Sequence, residues 1–206
     1  MPFPAAIPAT GWVKRHSVGC SKKERRGRWT VKRDLYDWWL HRIADEIRVV
    51  ERLVGIDLSR EAVALARWAG EDLPQCQFLW GSVEKLMELP DTSFDGIVLS
   101  NILDNLKPTD SRAVLQETIR LLQPEGKVLI KLNPYLTREQ IEAWGVRTIE
   151  GDLLDDGLLL WNRTTEAWQE ELQRDFRTVR FEDVYFSEYD QHNRMFLCEA
   201  LQNANK

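Results

Sequence analysis

The chain has 206 residues, 43% of them hydrophobic and 30% charged, with a formal net charge of −5. That is enough for one soluble globular domain with a sizeable core, and no apolar run approaches the ~20 residues that span a bilayer. The first residues lack the pattern of a signal peptide. The three cysteines, Cys20, Cys76 and Cys198, are scattered without ligand-like spacing. They read as reduced thiols of a cytoplasmic protein, not as a disulfide frame or a metal site.

In chain order, residues 1–28 lack hydrophobic periodicity and carry Pro2, Pro4 and Pro8, which argue against a helix. Residues 14–33 hold nine Lys or Arg against the single Glu24, so the first 33 residues carry +8 and the remainder −13. Residues 1–28 are therefore expected to form a basic, flexible arm on an acidic body. Such an arm is a solvated tail, a contact for nucleic acid or another anionic surface, or an Arg-rich transit peptide. From Trp29 the pattern changes. Leu35, Trp38, Trp39, Leu40, Ile43 and Ile47 have the spacing of an amphipathic helix.

Leu53-Val54-Gly55-Ile56-Asp57 is a short apolar run that stops on a carboxylate, the pattern of a strand buried on both faces in a parallel sheet. Ser59 is a ready N-cap for a helix over 60–68, with Glu61 in its first turn and Gly70 as its C′ residue. A strand is expected over Gln75–Trp80, a loop or short helix over 82–90, and a second buried strand over Phe94–Leu99 with Ser100-Asn101 at its carboxyl end. A helix over about 111–122 follows, then a turn at Pro124-Glu125-Gly126 and a strand over Lys127–Leu132. Thr137 and Gln140 form a capping box for a helix ending at Trp144-Gly145. Another helix runs over about 165–174, and Phe176–Phe186 with Arg194–Leu201 reads as a terminal β-hairpin. Alternating β and α closed by an antiparallel pair is an α/β fold with a doubly wound, mostly parallel sheet, expected as one domain over 29–206.

In open α/β sheets, ligands bind beyond the carboxyl ends of the strands, and an acid there can accept from both hydroxyls of a ribose. Several stretches, taken together, resemble the class I S-adenosylmethionine (SAM)-dependent methyltransferase family. Leu53–Ser59 resembles its second strand with the ribose-binding acid. Phe78–Glu84, Leu89-Pro90-Asp91 and Ser93-Phe94-Asp95 resemble its third strand, adenine loop and fourth strand. Ser100–Leu106 and Leu121–Lys127 match the segments after strand four and into strand five. The resemblance covers roughly residues 51–200 and implies a Rossmann-like methyltransferase fold with SAM as cofactor. It implies that Asp57 holds the ribose, that Leu58 covers one adenine face and that Ser82 and Val83 line the adenine edge. Ser100 and Asn101 would face the methionine end or the acceptor. Asp104, Tyr135, Tyr185, Tyr189 and His192 fall in segments near the acceptor rim.

The family's glycine-rich turn after strand one is not recognisable. Counting back from Asp57, Asp34 and Tyr36 fall where its acid and turn begin, and the resemblance assigns them to the cofactor. However, Tyr36-Asp37-Trp38-Trp39-Leu40 stands in place of the glycines that let a backbone approach the ligand. Besides a nicotinamide-binding oxidoreductase, whose strand-end acid also holds a ribose but whose own glycine fingerprint is absent as well, two classes of function follow. One is transfer of a methyl group to a small-molecule acceptor, with an RNA- or protein-directed variant that uses the basic arm. The other is a methyltransferase-fold scaffold with impaired catalysis, kept for binding a partner. Direct displacement from a sulfonium needs alignment and a dry cavity more than a catalytic triad or a metal, and no residue is assigned as catalytic.

Overall fold

The computed structural model describes residues 50–155, 157–186 and 191–201; the basic arm and the helix expected over 35–47 lie outside them. The chain divides between Lys85 and Leu86 into two compact units, each of which has its own sheet or sheets.

In the first unit, β1 (Leu53–Asp57) and β2 (Cys76–Trp80) pair in parallel, with Leu53 opposite Cys76 and Asp57 opposite Trp80. The connecting helix α1 (Arg60–Ala69) starts on Ser59, whose hydroxyl accepts from the Ala62 amide at 3.2 Å. Leu53, Val63 and Phe78 form its core, with Val50, Ala66, Leu73 and Cys76 packed against them. Arg67 locks the helix end to the strand by donating from Nε and a terminal nitrogen to the Phe78 carbonyl, at 3.0 and 2.7 Å. Gly70 closes α1 as expected, at φ −103°. Its glycine serves closeness: an added Cβ would stand 3.0 Å from the Phe78 ring. A short helix α2 (Val83–Met87) follows β2.

The second unit is built on a four-stranded sheet in the order β3 (Phe94–Ser100), β4 (Leu122–Leu132), β9 (Gln191–Ala200), β8 (Phe176–Phe186). β3 and β4 are parallel, and β9 runs antiparallel to both β4 and β8. This is the mixed edge expected from the terminal hairpin, whose second strand begins at 191 rather than 194. Helix α3 (Pro108–Leu121) starts three residues earlier than expected, because Pro108 occupies the first turn, where a missing N–H costs nothing. Val128, Ile130 and Leu132 alternate on β4 and are fully buried, as are Phe196 and Cys198 on β9. Pro124-Glu125-Gly126, expected as a turn, belongs to β4 as an irregular stretch. Glu125 sits at φ +66°, and the register with β3 shifts between Phe94 and Gly96.

A small antiparallel sheet of β5 (Arg147–Glu150), β6 (Leu153–Asp155) and β7 (Leu159–Trp161) was not foreseen, since runs of three and four residues carry little periodicity. With α4 (Arg138–Trp144) beside it, it has its own core of Leu136, Leu154 and Leu160 backed by Ile141 and Val146. The capping box at Thr137 and Gln140 is present, and Gly145 ends α4 at φ +65°. Helix α5 (Thr165–Leu172) buries Trp168, whose ring meets Trp161 edge-on at 5.0 Å. Its Glu171 is buried among cations, with Arg112, Arg163 and Arg174 at 3.5, 3.3 and 3.1 Å. Among the described residues, no helix is long and apolar enough to cross a membrane.

Trp168→Ala is expected to lower unfolding free energy by about 3–5 kcal/mol in urea titration, the usual cost of emptying a buried aromatic site. Burial pushes the Cys198 thiol up to about 11, with the Thr178 hydroxyl opposing. A raised folded value means that Cys198 contributes its full stabilising share below the ordinary thiol range and loses it as pH rises toward 11. At pH 8, iodoacetamide is therefore expected to leave Cys198 unmodified in the native protein and to label it once urea is added, as read by peptide mass mapping.

Candidate functional site

Both units place polar side chains at the carboxyl ends of parallel strands. In the first, Asp57 ends β1 and is only 4% exposed. Its Oδ1 accepts from the Ser59 amide at 2.6 Å, an Asx-type turn that redirects the chain into α1. The Asp57 carbonyl accepts from the Gly81 amide at 3.0 Å, which fixes the end of β2 beside that of β1. Ser82 and Val83 follow directly. The Ser82 amide donates to Glu84 Oε1 at 2.8 Å, and that bond holds the Glu84 carboxyl below its ordinary range. Leu58 is 60% exposed, and the Trp80 indole donates to its carbonyl at 3.0 Å. Arg60 lies over the Trp80 ring, 4.0 Å from its centre. Asp57, Leu58, Ser82 and Val83 thus form one neighbourhood, a buried carboxylate edged by apolar and aromatic surface.

In the second unit, Ser100, Asn101 and Asp104 are buried and joined. Asn101 follows β3 in the left-handed region at φ +53°, which Asn tolerates better than most residues. Its amide donates to the Lys131 carbonyl at 2.8 Å, and the Ser100 hydroxyl lies 3.4 Å from its Oδ1. The Asn101 carboxamide donates to Asn133 Oδ1, and Asn133 Nδ2 donates to Asn105 Oδ1 at 3.0 Å. Asp104 accepts the Asn133 amide at 2.6 Å, while Arg194 Nε donates to the Asn133 carbonyl at 2.9 Å. A second Arg194 nitrogen donates to the Arg163 carbonyl at 2.7 Å. Burial depresses the Arg194 guanidinium, and the nearby Asp104 charge works against that shift.

The other residues expected at the acceptor rim do not join this cluster. Tyr135 is exposed just beyond β4. His192 Nδ1 pairs with Asp183 at 3.0 Å on the outer hairpin, with the Tyr185 ring 4.8 Å from its own. Asp34, Tyr36 and Tyr189 lie outside the described residues. Sequence reasoning missed Asn133, Asn105 and Arg194. Asn133 had a usable signal, a polar residue ending an apolar strand as Asp57 does. Arg194 had none, because its partners lie on remote loops.

Parallel pairs β1–β2 and β3–β4, with an antiparallel terminal hairpin beside β4, fit a Rossmann-like methyltransferase fold. A family model described as "Methyltransferase domain" matches residues 39–130. Among solved structures, the PH0226 protein of Pyrococcus horikoshii OT3 is similar at TM-score 0.60 and 15% identity, over 97% of this chain and 96% of that one. Similar too is the 1,6-didemethyltoxoflavin-N1-methyltransferase of Burkholderia thailandensis, solved with 1,6-didemethyltoxoflavin and S-adenosylhomocysteine bound. Its TM-score is 0.56 and its identity 18%, over 79% of this chain and 65% of that one. The [4+2]-cyclase SpnF shares the fold at TM-score 0.58 and 16% identity, over 78% of this chain and 71% of that one. No curated protein matches the chain in sequence. Residues 39–130 thus resemble a methyltransferase domain, and the structural likenesses show the fold that such domains share.

Asp57→Ala leaves the Ser59 amide without its partner at a buried strand end. It is expected to cost about 1–3 kcal/mol, measured by urea unfolding of both proteins.

Proposed function

We propose that this chain is a cytoplasmic enzyme that moves a methyl group from SAM to a small-molecule acceptor. The observation that carries the reading is Asp57, a buried carboxylate at the carboxyl end of a parallel strand, one oxygen of which is already oriented by the Ser59 amide. A carboxylate at the carboxyl end of a parallel strand is an acceptor suited to the paired hydroxyl donors of a ribose. That donor–acceptor match fits the family's cofactor, and Leu58 offers an exposed apolar side chain for an adenine face. Ser82 and Val83 would meet the adenine edge, where a serine hydroxyl accepts without the charge assistance of an acid.

SAM, when bound, supplies a methyl group on a positively charged sulfur. The protein's part is to align it and exclude water. Ser100 and Asn101 would face the methionine end or the acceptor, with a hydroxyl and a carboxamide at the mouth of β3. A base is needed only if the acceptor arrives protonated, so the reading assigns none. The small molecule 1,6-didemethyltoxoflavin, bound in one structural neighbour, supports the acceptor class proposed here.

A second reading has its own support. There is no glycine between Gly27 and Gly55, so the turn that brings backbone against SAM has no obvious counterpart. The similarity to a cyclase shows that this fold hosts other chemistry. On that reading the scaffold binds a different ligand or a partner.

Thermal-shift titration separates the two. S-adenosylhomocysteine at about 100 times its Kd stabilises a one-site protein by ~2.7 kcal/mol, a rise of a few degrees in Tm. The expected result is such a rise, absent with NAD and lost in Asp57→Ala measured against its own ligand-free midpoint. An unchanged midpoint at millimolar S-adenosylhomocysteine would favour the second reading.

A further inference from the structure

Asn133 is held by opposite charges on its two backbone faces. Asp104 takes its N–H at 2.6 Å, and Arg194 gives a hydrogen bond to its C=O at 2.9 Å. Both side chains are buried, at 0% and 3% exposure, so neither grip is weakened by water. The segment that follows is pinned as well, since Asn162 donates to the Leu136 carbonyl and accepts from its amide, both at 2.8 Å. Arg194 also reaches the carbonyl of Arg163, next to Asn162. The chain leaving β4 therefore has little freedom from 133 to 136.

With its backbone fixed, the Asn133 side chain acts as a relay. Its Oδ1 accepts from the Asn101 carboxamide, and its Nδ2 donates to Asn105 Oδ1. Asn105 in turn donates to the Leu159 carbonyl at 2.7 Å, which sets the relay against β7. Asn101 sits at a left-handed φ, a backbone conformation that persists where its surroundings hold it. Burying a cation costs free energy, and desolvation depresses this guanidinium. The nearby Asp104 charge offsets part of that cost and ties Arg194 to this one peptide.

We infer that Arg194 and Asn133 are positioning residues: the Arg194–Asp104 grip fixes Asn133, and Asn133 orients the Asn101 carboxamide for the ligand. The functional half of this inference rests on the SAM reading of Asn101; the structural half does not.

The test uses the full chain, with side-chain amide signals assigned by NMR, and three proteins: wild type, Arg194→Lys and Asn133→Ala. Asn133→Ala keeps the backbone N–H and C=O that Asp104 and Arg194 grip, so the fold is retained while the relay is cut. The expected result is a displaced or averaged Asn101 amide signal in both variants. S-adenosylhomocysteine affinity is expected to be weaker by roughly tenfold or more in Asn133→Ala, as for other supporting residues of binding sites. If Arg194→Lys does not fold, Asn133→Ala decides alone. An unmoved Asn101 signal in folded Asn133→Ala would overturn the relay, as would unchanged affinity where wild type binds. If wild type fails to bind S-adenosylhomocysteine, the SAM reading falls, and the relay stands or falls on the Asn101 signal.

Discussion

Where a parallel strand ends, its last amides and carbonyls lose their ladder partners, and an interior site must supply others. This chain supplies them from side chains. Asp57 takes the Ser59 amide beyond β1, Asp104 takes the Asn133 amide beyond β4, and Arg194 meets the Asn133 carbonyl. Asn162 repeats the device at Leu136, where its carboxamide imitates a strand neighbour on both sides. Acids, amides and one guanidinium therefore stand at the strand ends, which in this fold class is where ligands bind.

The same requirement explains why these sites are stiff. A buried polar group that loses its partner pays its full desolvation cost, so each hydrogen bond in the second unit's cluster supports the next. Asn133 alone joins Asn101, Asp104, Asn105 and Arg194. The cost of burying Arg194 is offset by carbonyl acceptors and the nearby Asp104, not by an exposed salt bridge that salt would screen.

Much of the fold was legible because its strands are apolar runs with polar stops. Leu53–Asp57 and Phe94–Ser100 gave the strand ends, Ser59 and Thr137 the helix starts, and the long terminal hairpin its pairing. The small sheet of β5, β6 and β7 was hidden, since its short strands take their shape from a local core around Leu154 and Leu160. Among the candidate residues of each unit, Asp57 in the first and Ser100 and Asn101 in the second could be read from their place after buried runs. Arg194 could not, because its role depends on contacts with Asn133 and Arg163, 61 and 31 residues away. His192, expected near the acceptor rim, instead pairs with Asp183 on the exposed hairpin.

On the proposed reading, SAM is held by its ribose, and Asp57 at the end of β1 is the residue proposed to hold it. A crystal structure of the full chain grown with S-adenosylhomocysteine puts this to the most direct test. The account predicts ordered ribose hydroxyls about 2.6–3.0 Å from the Asp57 carboxylate. S-adenosylhomocysteine bound elsewhere, with Asp57 touching only the protein, would contradict it.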